Sequence, residues 1–285
     1  MKKLKEVFAA LMFATGLGIT AYPVISNYFY ERNATQVVET YDDTVEEMGQ
    51  EKIDAAKEAA KKYNEQLQSA IIRNEAGEGE TDGESYVDML SVGESIGYIT
   101  IPKIQAELPI YSGSSPEVLQ KGIGHLEQSS YPIGGEGTHS VLTGHRGLPD
   151  AELFTHLDKL EKGDCFYLHV LDEILAYRVD QIKVVEPNET GDLEIVPGKD
   201  YCTLVTCTPY SINTHRLLVR GERTEYHGEL ESEVQYQELQ TGTVARRLID
   251  VFPWILAVGA AAIGTEAILF CLLMRRKKKR EKEEL

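Results

Sequence analysis

The sequence predicts a mostly β protein: a closed or sandwiched β domain with short helices, preceded by a helical region and flanked by two membrane-spanning helices. Three observations predict it. Apolar segments of 22 and 23 residues lie near the two ends, at 7–28 and 252–274, each with a basic cluster on its terminal side. Residues 34–72 carry apolar side chains at helical spacing. From about Ser91, short β-like runs alternate with Gly and Pro turns.

The spans come first. At 1.5 Å per residue the two segments reach roughly 33–35 Å, enough for a bilayer core of about 30 Å. Lys2, Lys3 and Lys5 precede one. Arg275, Arg276, Lys277, Lys278, Lys279, Arg280 and Lys282 follow the other. The two tails thus hold ten of the 29 basic residues, and the middle keeps 19 basic against 41 acidic residues, net −22 of an overall −17. The positive-inside rule then places both termini in the cytoplasm and the acidic middle outside the cell membrane. A cleavable signal peptide is the alternative for the first segment, though Ala21-Tyr22-Pro23 is a poor small-residue cleavage site. Glu266, mid-span, reads as a neutral or water-reaching carboxyl, with contact to another span as the sharper option.

The remaining organisation follows in order: anchor 1–30, extracellular helical region 31–73, acidic Gly-rich linker or lid-like loop 74–90, β domain 91–223, polar tether 224–251, second span 252–274 and basic tail 275–285. The expected helical stripe is Val38, Tyr41, Val45, Met48, Lys52, Ala55, Ala59, Tyr63 and Leu67. Gly49 is a candidate break, and the stripe packs on the domain behind it or forms a stalk. Ser115–Gly122 and Ala151–Leu157 read as short helical turns. A charge of −17 argues against nucleic acid as a partner. Four cysteines without a C-x-x-C exclude a disulfide-dense scaffold and a zinc ribbon.

Cys207 ends an apolar β-run, Thr203-Leu204-Val205-Thr206-Cys207, where the chain turns at Thr208-Pro209. A thiol there is placed to face a cleft. Cys202, an odd number of residues away, points to the opposite face and reads as a small buried hydrophobe. Cys165 reads likewise, and Cys271 lies in a span. A Cys165–Cys202 disulfide is a side hypothesis. A nucleophilic thiolate needs a proton donor for its leaving group. His145, His125, His139 and His215 are the donor candidates, and spacing alone does not choose among them. Arg216, at the start of the next run, could sit across a hairpin and hold a developing oxyanion.

TLVTCTPYSINTHRLLVRGER (203–223), IGYITIPKI (96–104), LPIYSG (108–113), GHLEQSSYPIGGEGTHSVLTGHRGLP (124–149) and VPGKDY (196–201) together resemble the class C, pilus-assembly sortases. The resemblance covers nearly all of residues 86–223. It implies a sortase-like closed β-barrel, Cys207 as nucleophile, His145 as general acid and Arg216 as oxyanion stabiliser. Leu204 and Thr206 would shape the substrate cleft. His215, Arg146 and Arg220 would be structural or surface residues. The implied reaction cleaves an LPxTG-like signal between Thr and Gly and joins the acyl group to a pilin lysine, with no metal or organic cofactor. Partners would be LPxTG-bearing pilin or surface proteins. Anchoring to peptidoglycan is the in-family alternative, and a non-enzymatic surface interaction module the alternative from another class. One departure stands out: no D-P-F or D-P-W lid tripeptide precedes the barrel, and 74–84 contains no aromatic.

Overall fold

A computed structural model of the chain describes residues 2–72 and 90–228. Two helices come first, α1 (Lys2–Glu47) and α2 (Gln50–Ile72), broken at Met48-Gly49 where the glycine was a candidate break. The break resets the helical phase. Val38, Tyr41 and Val45 are buried on α1, but on α2 the buried positions are Ile53, Ala60 and Asn64. Lys52 and Ala55, assigned to the stripe by uninterrupted spacing, are exposed. Helical spacing holds only within a continuous helix.

Eight strands follow: β1 (Gly97–Ile101), β2 (Ala106–Ser112), β3 (Ile123–His125), β4 (Thr138–Thr143), β5 (Cys165–Val170), β6 (Glu173–Val185), β7 (Asp200–Thr208) and β8 (His215–Thr224). They close into a barrel in the order β1-β2-β3-β4-β7-β8-β6-β5. β2 with β3 and β4 with β7 are parallel; the other neighbours are antiparallel. Closure pairs every strand on both sides, which removes the exposed edges of an open sheet. One short helix, α3 (Pro116–Lys121), starts at Ser115, whose hydroxyl accepts from Val118 N–H. The second expected turn appears as a hydrogen-bonded turn over 153–156, which runs into a 3-10 segment at Leu157–Lys159.

Strand alternation fills the interior. Leu142, Cys202, Leu204, Leu217 and Val219 join Ile99, Ile101, Ile110, Phe166, Leu168 and Tyr177 in one buried core. The helices belong to it as well. Tyr41 donates to Ile96 O and accepts from Leu171 N–H, while Asn64 accepts from Tyr131 N–H at 2.7 Å and donates to Tyr131 O at 3.2 Å. Lys57 bridges Asp172 and Glu173. The helical region therefore packs on the barrel.

Cys165 and Cys202 lie on β5 and β7, which β6 and β8 separate, and no disulfide joins them. Among the described residues no helix is long and apolar enough to cross a membrane. The second apolar segment, the basic tail, the tether beyond 228, and the lid-like stretch 74–84 fall outside the described residues, as do Cys271 and Glu266.

Candidate active site

The site follows from the register of three neighbouring strands. Cys207 on β7 is paired directly with Arg216 on β8. Residues opposite each other across a ladder share one face of the sheet. On the other side of β7, the parallel ladder with β4 matches Thr143 to Val205 and continues through Gly144 N–H to Val205 O at 3.1 Å. Two residues further along, His145 comes level with Cys207. Leu142, Leu204 and Leu217 point into the core, so period-two alternation places His145, Cys207 and Arg216 on the outer face of the barrel wall. All three are partly accessible.

The backbone around His145 is fixed from several sides. The Thr206 hydroxyl, 1% exposed, donates to Gly144 O at 2.8 Å. Phe154 N–H donates to His145 O at 3.1 Å, and Gly147 N–H to the Thr155 hydroxyl at 3.2 Å. Gly144 has no room for a side chain: a Cβ would lie 2.6 Å from Ile123 Cδ1. Arg146, with its side chain 9% exposed, pairs with Asp158 at 2.6 Å and donates to the Thr208 hydroxyl at 3.2 Å. It thereby ties the residue after His145 to the residue after Cys207. Arg216 donates to the carbonyls of His215 at 3.1 Å and Asn213 at 3.4 Å, which holds the guanidinium at the β7–β8 turn.

The other histidine candidates sit elsewhere. His125 is fully buried, bonded to Ser130 O at 2.8 Å, and burial pushes its pKa down to about 4. His139 lies between Glu194 O at 2.8 Å and the Thr203 hydroxyl at 2.7 Å, with its pKa lowered by burial. His215 is exposed beside the Thr214 hydroxyl at 2.9 Å. Cys202 is buried and burial raises its thiol pKa well above the ordinary value, which keeps it neutral. Arg220 forms a forked ion pair with Asp180 and stacks on Tyr201, a structural role.

Two expected cleft residues are placed differently. Leu204 is 0% exposed in the core, and Thr206 also points inward, because even-numbered residues of β7 face the interior at this level. Val205, partly accessible, is the strand residue on the face of Cys207. Period-two counting back from Cys207 identifies it. Among the described residues no His, Cys, Asp and Glu group is arranged to hold a metal.

Comparison with known proteins gives this geometry a family. The family model for the sortase domain matches residues 99–224, from β1 to the end of β8. Sortase D of Bacillus subtilis is 34% identical over 134 residues, 46% of this chain and 65% of that protein. Sortase A of Staphylococcus aureus is 25% identical over 216 residues, 74% of this chain and 90% of that one. Among solved structures, a sortase C of Streptococcus pneumoniae described for its pilin substrate specificity is 49% identical with a TM-score of 0.61, covering 67% of this chain and 97% of that chain. A pilus-related sortase C of Group B Streptococcus is 48% identical with a TM-score of 0.60, over 67% and 98%. With a barrel, a strand-end cysteine and 97–98% of the two sortase C chains covered, the chain belongs to the sortase family of cysteine transpeptidases, with class C pilus sortases among its structural neighbours.

Proposed function

We propose that this chain is a membrane-anchored sortase that polymerises pilin subunits, with Cys207 as nucleophile, His145 as general acid and Arg216 as oxyanion stabiliser. The observation that carries the reading is the direct pairing of Cys207 with Arg216, with His145 level on the neighbouring strand and all three on one accessible face. The likeness to pilus-related sortase C supports the choice of substrate.

The chemistry runs through a thioester. The Cys207 thiolate attacks the Thr carbonyl carbon of an LPxTG-like signal, and the oxygen takes up the negative charge. Arg216 donates hydrogen bonds to that oxygen as the charge develops. The C–N bond to glycine breaks, the departing amine takes a proton from His145, and the acyl group stays on sulfur. A pilin lysine amine then attacks the thioester and gives its extra proton to His145. The new amide forms and the Cys207 thiolate is released. Every step is proton and acyl transfer, which these three side chains can carry out themselves.

The apolar segments 7–28 and 252–274, with basic residues on their terminal sides, support anchoring at both ends and an extracellular barrel. The test is the acceptor. Purified full chain should ligate a sorting-signal peptide to a pilin lysine in preference to the amine of a cell-wall stem peptide. Reaction with the stem peptide alone would replace the pilus reading with surface-protein anchoring.

A further inference from the structure

The two ends of the barrel are distinguishable by which strands finish there. β7 ends at Thr208, just after Cys207, β6 ends at Val185 opposite Arg216, and the β4 run leads into His145; together these define the catalytic end. The turn between β5 and β6, at Leu171 and Asp172, lies at the far end.

Helix α1 runs between these ends with a definite polarity. Asn27 accepts at 2.9 Å from the N–H of Glu152, two residues before the Phe154 that holds His145. Tyr30 donates to Lys121 O at 3.2 Å, just before β3 at the level of Gly144. Further along, Tyr41 reaches Leu171 N–H at 2.7 Å, at the β5–β6 turn of the far end. The fourteen residues from Asn27 to Tyr41 cover roughly 21 Å of helix. Upstream of Asn27 the same helix continues past the catalytic end, carrying the apolar segment 7–28. Pro23 is inside it, and a proline kink tilts a helix without reversing it.

The exposed large apolar side chains follow the same polarity. Ile19, Tyr22, Ile25, Tyr28 and Phe29 are on that part of α1. Val184 (59% exposed) is one step from the level of Arg216, and Tyr210 (52%) and Ile212 (67%) form the tip of the β7–β8 loop. Among those described, only Val196 lies elsewhere, ahead of β7. Apolar and tyrosyl groups gathered at one end of a protein, beside a helix that carries an apolar segment, suit the lipid–water interface.

We infer that the catalytic end of the barrel faces the membrane, and that Val184, Tyr210 and Ile212 rest on the lipid interface so that the groove opens at the bilayer surface. This rests on the anchored reading above and adds an orientation to it. A continuous helix docked along the barrel sets that orientation, where a flexible linker would leave it free. Acyl donors would then be taken from polypeptides held close to the membrane.

The experiment uses the full chain in phosphatidylcholine vesicles, with Trp254→Phe to clear the background. Ile212→Trp and Val184→Trp report on the catalytic end, and Glu58→Trp on the far end, next to the Lys57 ion pairs. Lipids brominated near the headgroup should cause loss of fluorescence at 212 and 184 and none at 58. Flotation is measured in parallel. A chain that floats but is quenched only at 58, equally at all three positions, or at none, overturns the orientation while the anchor stands. A chain that does not float overturns the anchor and the orientation together. Quenching at 212 and 184 by a soluble labelled sorting-signal peptide, but not by lipid, would make the loop tip a peptide contact and overturn the inference.

Discussion

The two ends of this barrel are built to opposite specifications. At the far end, Tyr41, Tyr63 and Asn64 from the helices satisfy backbone groups of Ile96, Leu171, Glu127 and Tyr131, and the bonds of Tyr41 and Asn64 are buried. At the catalytic end, His145, Cys207 and Arg216 stay partly accessible, and the bonds there go to the backbone behind them. One end uses side chains to close the fold. The other uses them to aim three groups that must remain available to a substrate. Substitutions at the two ends should therefore separate: stability without chemistry at one, chemistry without stability at the other.

The sharpest separation is Cys207→Ala. It should abolish transpeptidation and change stability by less than about 1 kcal/mol, since the thiol is on the accessible face. Retained activity would remove Cys207 from the reaction; a large fall in Tm would contradict the division between the ends. Arg216→Lys comes next. Lysine lacks the planar fork, and loss of an oxyanion donor of this kind costs on the order of 10²–10³ in kcat. Steady-state kinetics with near-normal kcat would exclude the oxyanion role.

Acid probes the far end. His125 is buried there at the end of β3, with its pKa pushed down to about 4 by desolvation. Above about pH 6.5 it is neutral in both folded and unfolded chains and has no pH-linked effect. Between about 6.5 and 4 the unfolded chain takes up the proton and the folded chain does not, so stability falls by up to roughly 3 kcal/mol. His169, stacked on Tyr98, is pushed down to about 4 in the same way and should add to the slope. Urea titrations at stepped pH should show a shallower acid slope for His169→Gln. An unchanged slope would remove His169 from the acid sensitivity. Asn64→Ala should cost about 2–3 kcal/mol, because it removes the buried bonds of Asn64 to Tyr131 N–H and Tyr131 O, and leave kcat of the folded enzyme unchanged.

What the sequence disclosed divides along physical lines. The β texture, the break at Gly49 and the opposed faces of Cys202 and Cys207 are local properties of spacing, and they hold in the structure. The closing order of the strands is not local, since β4–β7 and β6–β8 join segments far apart in the chain. Spacing likewise left four histidines open, and only the β4–β7 register puts His145 level with the thiol. Beyond Gly49 the helical stripe loses Lys52 and Ala55, because the break reset its phase, while Tyr63 still packs on the core. The family resemblance makes Leu204 and Thr206 cleft residues; alternation along β7 turns both inward.

Thr206 is where the two specifications meet, and its effect should be the smallest. It faces the interior like a core residue, yet its hydroxyl holds the carbonyl immediately before His145. Thr206→Val keeps the shape and removes the donor, leaving Gly144 O with one buried bond fewer. A neutral hydrogen bond of this kind is worth about 1 kcal/mol, so a packing role alone would appear as that loss in Tm. A positioning role would appear elsewhere. The imidazole would sample more orientations, kcat should fall several-fold at constant KM, and Thr206→Ser should restore kcat though it lacks the methyl. If Ser lowers kcat as much as Val, the methyl packing is what matters, and Thr206 belongs wholly to the core.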